Sequence, residues 1–149
     1  MLEEIKKLRE KTGAGVMDVK RALDEAAGDA KKAEKILNER GAAVAQKKSE
    51  RSTSQGLIDS YLHMGKIGVM VEVNCETDFV SRNEEFKKFV HELCLHIASS
   101  EVETVEQLQD QEYFREPSKK ISDLLNETIA KTGENIRIKR FVKFALGQE

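Results

Sequence analysis

The chain contains no tryptophan, a single proline and only two cysteines in 149 residues. Two thiols, Cys75 and Cys94, cannot form a disulfide framework, which excludes a small cross-linked secreted scaffold and predicts a reducing, intracellular compartment. An excess of one charge is also missing: 25 Lys and Arg stand against 27 Asp and Glu. A near-neutral chain does not coat nucleic acid with bulk positive charge, so no direct nucleic-acid partner is expected. Long apolar runs are lacking too. The stretch Ile67-Gly68-Val69-Met70-Val71 falls far short of the roughly 18 residues needed to span a bilayer. The first residues, Met1-Leu2-Glu3-Glu4-Ile5, carry acids where a secretory leader carries bases. Together these absences predict a cytoplasmic protein with no membrane contact.

What is present is charge-rich, with 35% charged and 39% hydrophobic residues. The length fits one domain, or one domain and a small module, at roughly 150 residues per domain. The chain changes character near residue 50. Residues 1–51 carry 13 Lys and Arg against 10 Asp and Glu, whereas the remainder carries 12 against 17. The first part reads as three short helices. Leu2, Ile5 and Leu8 form one stripe, Val16, Val19 and Leu23 a second, and Ala33, Ile36 and Leu37 a third. Thr12-Gly13-Ala14-Gly15 separates the first two, Asp29 is placed to cap the third, and Gly41 to end it. This gives a compact module over residues 1–41, too small for more than a marginal core of its own. Residues 42–56 are polar and read as a linker.

Residues 57–149 mix strands with helices. Leu57–Met64 and Ile67–Asn74 flank a hairpin turn at Gly65-Lys66, with Ile67, Val69, Val71 and Val73 on one face. A helix over Asn83–Ser100 buries Phe86, Phe89, Val90, Leu93 and Ile97, with Ser81 and Glu84 as a capping box. A further helix over Ser118–Lys131 follows Pro117 and stops at Gly133. Ile136, Ile138, Val142, Phe144 and Leu146 then alternate as a long strand, with Arg140 the exception. The fold class is α+β: a helical module, then a small antiparallel sheet covered by helices.

No enzyme signature survives inspection. His91 and His96 stand five apart on a helix, about 140° around it, whereas two helical zinc ligands need a spacing of four. Neither cysteine sits in a CxxC, and Cys94 falls on an apolar helix face, as a small core residue does. Gly13-Ala14-Gly15 lacks both the third glycine and the preceding strand of a dinucleotide fingerprint. No cofactor is expected. The segment Asn74-Cys75-Glu76-Thr77-Asp78-Phe79-Val80 is more informative, because it joins the end of a strand to a helix. Phe79 is either a hydrophobic staple on the first helical turn or an aromatic offered to a partner beside the charge of Asp78.

Four motifs, in order along nearly the whole chain, resemble those of bacterial elongation factor Ts. They are Leu8–Leu23, Glu72–Val80, His96-Ile97-Ala98 and Gly133-Glu134-Asn135-Ile136. The resemblance implies a guanine nucleotide exchange factor of translation elongation whose partner is elongation factor Tu, in its GDP-bound and nucleotide-free forms. It further implies that the first module is of the ubiquitin-associated type and docks on that GTPase through Lys6, Arg9, Val16, Met17 and Lys20. Thr77, Asp78, Phe79 and Val80 are implied to reach the same partner from another side, with Phe79 and Asp78 disturbing the Mg²⁺ and phosphate sites, and His96 is implied in partner contact. From the residues alone, Val16 and Met17 can equally close the small core, and Lys20 can be a solvated face. Only 17 residues, Ser100–Glu116, separate the histidine motif from Pro117, so the resemblance is to a shortened form. A single short core is expected to complete itself as a symmetric homodimer. Thr132 departs from the apolar residue usual in the family before the glycine. The alternative reading is a ubiquitin-associated-type peptide-binding adaptor without exchange activity.

Overall fold

A computed structural model describes residues 1–148. Helix α1 (Leu2–Thr12) ends at Gly13, whose left-handed backbone lets its N–H reach back to the Arg9 carbonyl. Helices α2 (Val16–Glu25) and α3 (Ala30–Lys48) complete the module, with Asp29 capping α3 by accepting from the Lys31 and Lys32 amides. Ile5, Leu8, Val19, Ala22, Leu23, Ala33 and Leu37 form its own small core.

Helix α3 does not stop at Gly41 but continues to Lys48, so the first part of the expected linker, residues 42–48, is helix. A mid-helix glycine costs about 1 kcal/mol against alanine. Tertiary packing outweighs that cost, because Ala45 is buried in the main core and α3 lies against α7. The module is therefore bolted to the rest of the molecule. Lys11 Nζ bridges Glu34 of α3 at 3.0 Å and Glu116 of the second region at 2.6 Å. Gly13 approaches Lys131 so closely that a β-carbon there would lie 2.9 Å from the Lys131 backbone nitrogen.

Strands β1 (Gln55–His63) and β2 (Ile67–Cys75) form the hairpin, turning through Met64 and Gly65, both at positive φ. A short helix α4 (Asp78–Ser81) precedes α5 (Glu84–Ala98). The cap of α5 is Asn83, which accepts from the Glu85 amide, and not Ser81. Then come α6 (Val105–Asp110), the two-stranded β3 (Glu112–Tyr113) and β4 (Glu116–Lys120), α7 (Ile121–Thr132) and β5 (Ile136–Ala145). Pro117 lies in β4 rather than at the start of α7. An edge strand tolerates its missing N–H.

The main sheet has the order β1-β2-β5 and is antiparallel throughout. Helix α5 covers one face, with α7 packed behind it, and Val71, Val73, Phe86, Leu93, Ile97 and Ile121 fill the space between. Strand β5 is not one alternating run. Glu72 pairs with Arg140 and Val73 with Ile138, which leaves Lys139 as the extra residue of a β-bulge. The bulge swaps the faces: Ile136 and Ile138 point into the core, while Arg140, Val142 and Phe144 point outward. Arg140 is thus no exception: it shares the open face with Val142 and Phe144, while Phe141 packs on the core. No helix among the described residues is long and apolar enough to cross a membrane.

Candidate functional site

Two exposed surfaces gather eight of the ten residues singled out in the sequence, and a ninth, Val80, is buried directly beneath the first. The first is the tip between β2 and α5. Thr77 is extended and caps α4, its Oγ1 accepting from the Val80 amide at 3.3 Å. Val80 turns inward and is 4% exposed, which anchors the turn in the core. Phe79, one residue earlier, is 80% exposed. It is therefore no staple, and the benzyl group stands free on a capped turn. Asp78 lies beside it, ion-paired with Arg82 at 2.5 Å. Ser81 Oγ donates to the Asp78 carbonyl, closing the turn from below. Asp78, Phe79, Arg82 and Asn83 border a recess of 350 Å³. The loop is held from behind by Glu134, whose carboxylate accepts from the Glu76 and Thr77 amides and from the Thr77 hydroxyl.

The second surface is a groove between α1 and α2 with a volume of 560 Å³. Ile5, Ala14 and Val16 give it an apolar floor, and Lys6, Arg9 and Lys20 stand at its rim. Val16 and Met17 are 39% and 59% exposed, so neither closes the module core, which Val19 and Leu23 do instead. An apolar trough edged by cations suits a partner segment with an apolar ridge and acidic flanks.

His96 joins neither surface. It is 2% exposed beneath the turn between β3 and β4. Its Nε2 faces Gln111 Oε1 at 2.8 Å, and its Nδ1 accepts from the Phe114 amide at 3.3 Å. Both ring nitrogens are thus occupied by the neutral tautomer, and burial lowers its pKa below the usual histidine value, against a smaller opposing effect of Gln111. The short Ser100–Glu116 connection folds over this histidine, which makes it a core residue in this chain.

Neither cysteine is primed as a nucleophile. Burial pushes the Cys75 thiol up to about 11, helped by the Glu134 charge, and the Cys94 thiol up to about 12, so both stay protonated at neutral pH. Among the described residues no three His, Cys, Asp or Glu side chains come together as metal ligands. What the arrangement can do is bind: one aromatic wedge with a neighbouring charge, and one apolar groove, on a single rigid body. Sequence reasoning missed Glu134 and Arg82. The Gly133-Glu134-Asn135-Ile136 motif was visible, but nothing in it announced a contact 57 residues away.

Residues 76–149 match the family model described as elongation factor TS. The chain is 43% identical to elongation factor Ts of Thermoanaerobacter sp. strain X514 across 98% of its own length and 94% of that protein. It is 40% identical to the elongation factor Ts of Thermodesulfovibrio yellowstonii, covering 97% of this chain and 94% of that one. For Rubrobacter xylanophilus the identity is 41%, over 97% and 98%. The first alignment runs over 192 positions against 149 residues here, so parts of the relative have no counterpart in this shorter chain. Likeness at this level along almost the full length of each relative establishes that the chain belongs to the elongation factor Ts family of translation elongation factors.

Proposed function

We propose that this protein promotes release of GDP from elongation factor Tu, acting as a nucleotide exchange factor in the cytoplasm without performing a chemical step. The observation that carries the reading is Phe79, 80% exposed on a turn held by the Thr77 cap and the Glu134 carboxylate. An exposed aromatic on a mobile loop would lose entropy on insertion, whereas a pre-set one loses little. The factor must bind the nucleotide-free GTPase more tightly than the GDP-bound one, and linkage then weakens GDP binding by the same ratio. A shift of about 10⁴ requires roughly 5.5 kcal/mol of differential contact. Burying one phenylalanine yields at most about 3 kcal/mol. The groove lined by Lys6, Arg9, Val16 and Lys20, with Met17 at its edge, supplies the remaining contact. A peptide-binding adaptor would need the groove alone and would have no use for the tip.

The test is release of fluorescent GDP from purified elongation factor Tu. Wild type accelerates release, and Phe79→Ala slows the accelerated rate by about 30-fold, the equivalent of a 2 kcal/mol hot spot. Asp78→Ala also slows release, while stability changes little because its pair with Arg82 is exposed. Unchanged release with Phe79→Ala would remove the wedge from the mechanism.

The same reading includes a symmetric homodimer. Its support is the open face of the sheet, where Ile58, Leu62, Met70, Val142 and Phe144 form one apolar patch across three strands. Patches of this kind on soluble proteins are usually covered. Sedimentation equilibrium across a dilution series should detect a dimer that Phe144→Asp dissociates. A monomer at every micromolar concentration would eliminate it.

A further inference from the structure

We propose that Glu134 is a positioning residue of the exchange reaction: it holds the Thr77 cap so that Phe79 is presented in one orientation. The proposal rests on the exchange reading above and names a residue that makes the tip work without itself meeting the partner.

Glu134 follows Gly133, the left-handed residue that ends α7. The helix end does not need its carboxylate, because the Gly133 amide already closes the last turn on the Ile129 carbonyl at 2.8 Å. All three bonds to that carboxylate come instead from the tip. Oε1 accepts from the Glu76 amide at 3.1 Å and the Thr77 amide at 3.0 Å, and Oε2 accepts from the Thr77 hydroxyl at 2.6 Å. Bonds to a charged acceptor are shorter and stronger than neutral ones. They also fix the direction of the Thr77 hydroxyl. It gives its only proton to Glu134, which leaves a lone pair for the Val80 amide, the bond that starts α4. Remove the carboxylate, and the cap can rotate and the turn that carries Phe79 loses its start.

The neighbouring residue extends the same junction to the module. The Asn135 amide donates to Glu76 Oε1 at 2.7 Å, and its side chain donates to the Ser49 and Arg51 carbonyls just beyond α3. Tip, α7 and the exit of α3 therefore meet at two consecutive residues. Orientation of the wedge against the groove is decided there, and small errors of placement are expensive in a two-point contact.

The test measures GDP release from elongation factor Tu against factor concentration, which separates the maximal rate from the half-saturating concentration. Glu134→Ala should lower the maximal rate about tenfold and change half-saturation less than twofold. Glu134→Gln, which keeps an acceptor for both amides, should retain at least half of the wild-type maximum. Glu134→Ala combined with Phe79→Ala should be no slower than Phe79→Ala alone within twofold, since one residue acts through the other. An unchanged maximum in Glu134→Ala, or fully additive losses in the double variant, overturns the proposal. Amide exchange in the free protein gives an independent readout. Protection at Thr77 and Val80 should fall at least tenfold in Glu134→Ala and stay near wild type in Glu134→Gln, with β2 unaffected. Unaltered protection in Glu134→Ala refutes the clamp even if wild type proves to be inactive in exchange, so the two readings fail separately. Should Glu134→Ala not fold, Thr77→Val removes the hydroxyl end of the clamp and carries the same expected losses.

Discussion

Two glycines with nearly the same backbone offer a controlled experiment on how the module is seated. Gly13 ends α1 at φ 74° and Gly133 ends α7 at φ 76°. Replacing either by alanine places a β-carbon in the left-handed region, a penalty of about 1–2 kcal/mol common to both. Their surroundings differ. At Gly133 the new methyl meets nothing within 4 Å, so Gly133→Ala should cost only that penalty. At Gly13 it would lie 2.6 Å from Lys131 Cγ, 2.9 Å from the Lys131 nitrogen and 3.2 Å from Cα. The side-chain carbon can swing away, but the helical backbone of α7 cannot. Overpacking of this kind adds about 1–3 kcal/mol. Gly13→Ala should therefore cost roughly 2 kcal/mol more than Gly133→Ala, by the middle of that range. Urea denaturation followed by circular dichroism measures both. At a slope of about 2 kcal/mol per molar, the Gly13 variant unfolds about 1 M earlier than the Gly133 variant. Adding Lys131→Ala to Gly13→Ala should recover only part of the loss, since the nitrogen contact stays. Equal midpoints for the two single variants would refute the close approach of module and core on which the rigid-body argument depends.

Two further expectations concern buried ionisable groups. Lys119 and Glu127 form an ion pair at 2.9 Å, with side chains only 7% and 5% exposed. Lys119→Met should destabilise by about 3–5 kcal/mol, whereas Lys119→Met with Glu127→Leu should be near neutral, as denaturant midpoints would show. Equal losses in both would refute the pairing. The second is a pH effect of His96, whose pKa is lowered by burial. Below the usual histidine value near 6.5 the unfolded chain takes up a proton that the folded chain resists. Stability should therefore fall as pH drops through that range, by at most about 1.4 kcal/mol per pH unit for one proton. Relative to His96→Gln, wild type should lose more stability between pH 7.5 and pH 5 by thermal melting, and parallel curves would contradict the burial.

Much of this molecule could be read from local pattern. The stripes of α1, α2 and α5, the hairpin about Gly65 and the stop at Gly133 all follow from periodicity and backbone freedom. The misreadings share a cause in tertiary context. Gly41 looks like a helix end until Ala45, four residues on, is seen to be buried in the second region's core. Ser81 and Asn83 both have capping side chains, and the separate turn at Asp78–Ser81 decides for Asn83. The alternation after Ile138 is genuine, but a bulge has no signature in a sequence of ordinary residues. At the site, residue types pointed to Asp78 and Phe79, yet only burial separates display from stapling. The role of Glu134 is a contact across more than a third of the chain, beyond the reach of any local pattern.

The extra residue at Lys139 has a consequence for how this surface can change. Excising it would make Arg140 follow Ile138 directly, so Arg140, Val142 and Phe144 would keep facing outward and Phe141 and Lys143 inward. Pulling the present sequence straight would instead set Lys139 opposite Glu72 and drive the Arg140 guanidinium into the core. The looped-out position is therefore a length buffer: lineages of this fold can shed one residue there while both sides of the sheet, and the helices behind it, stay as they are.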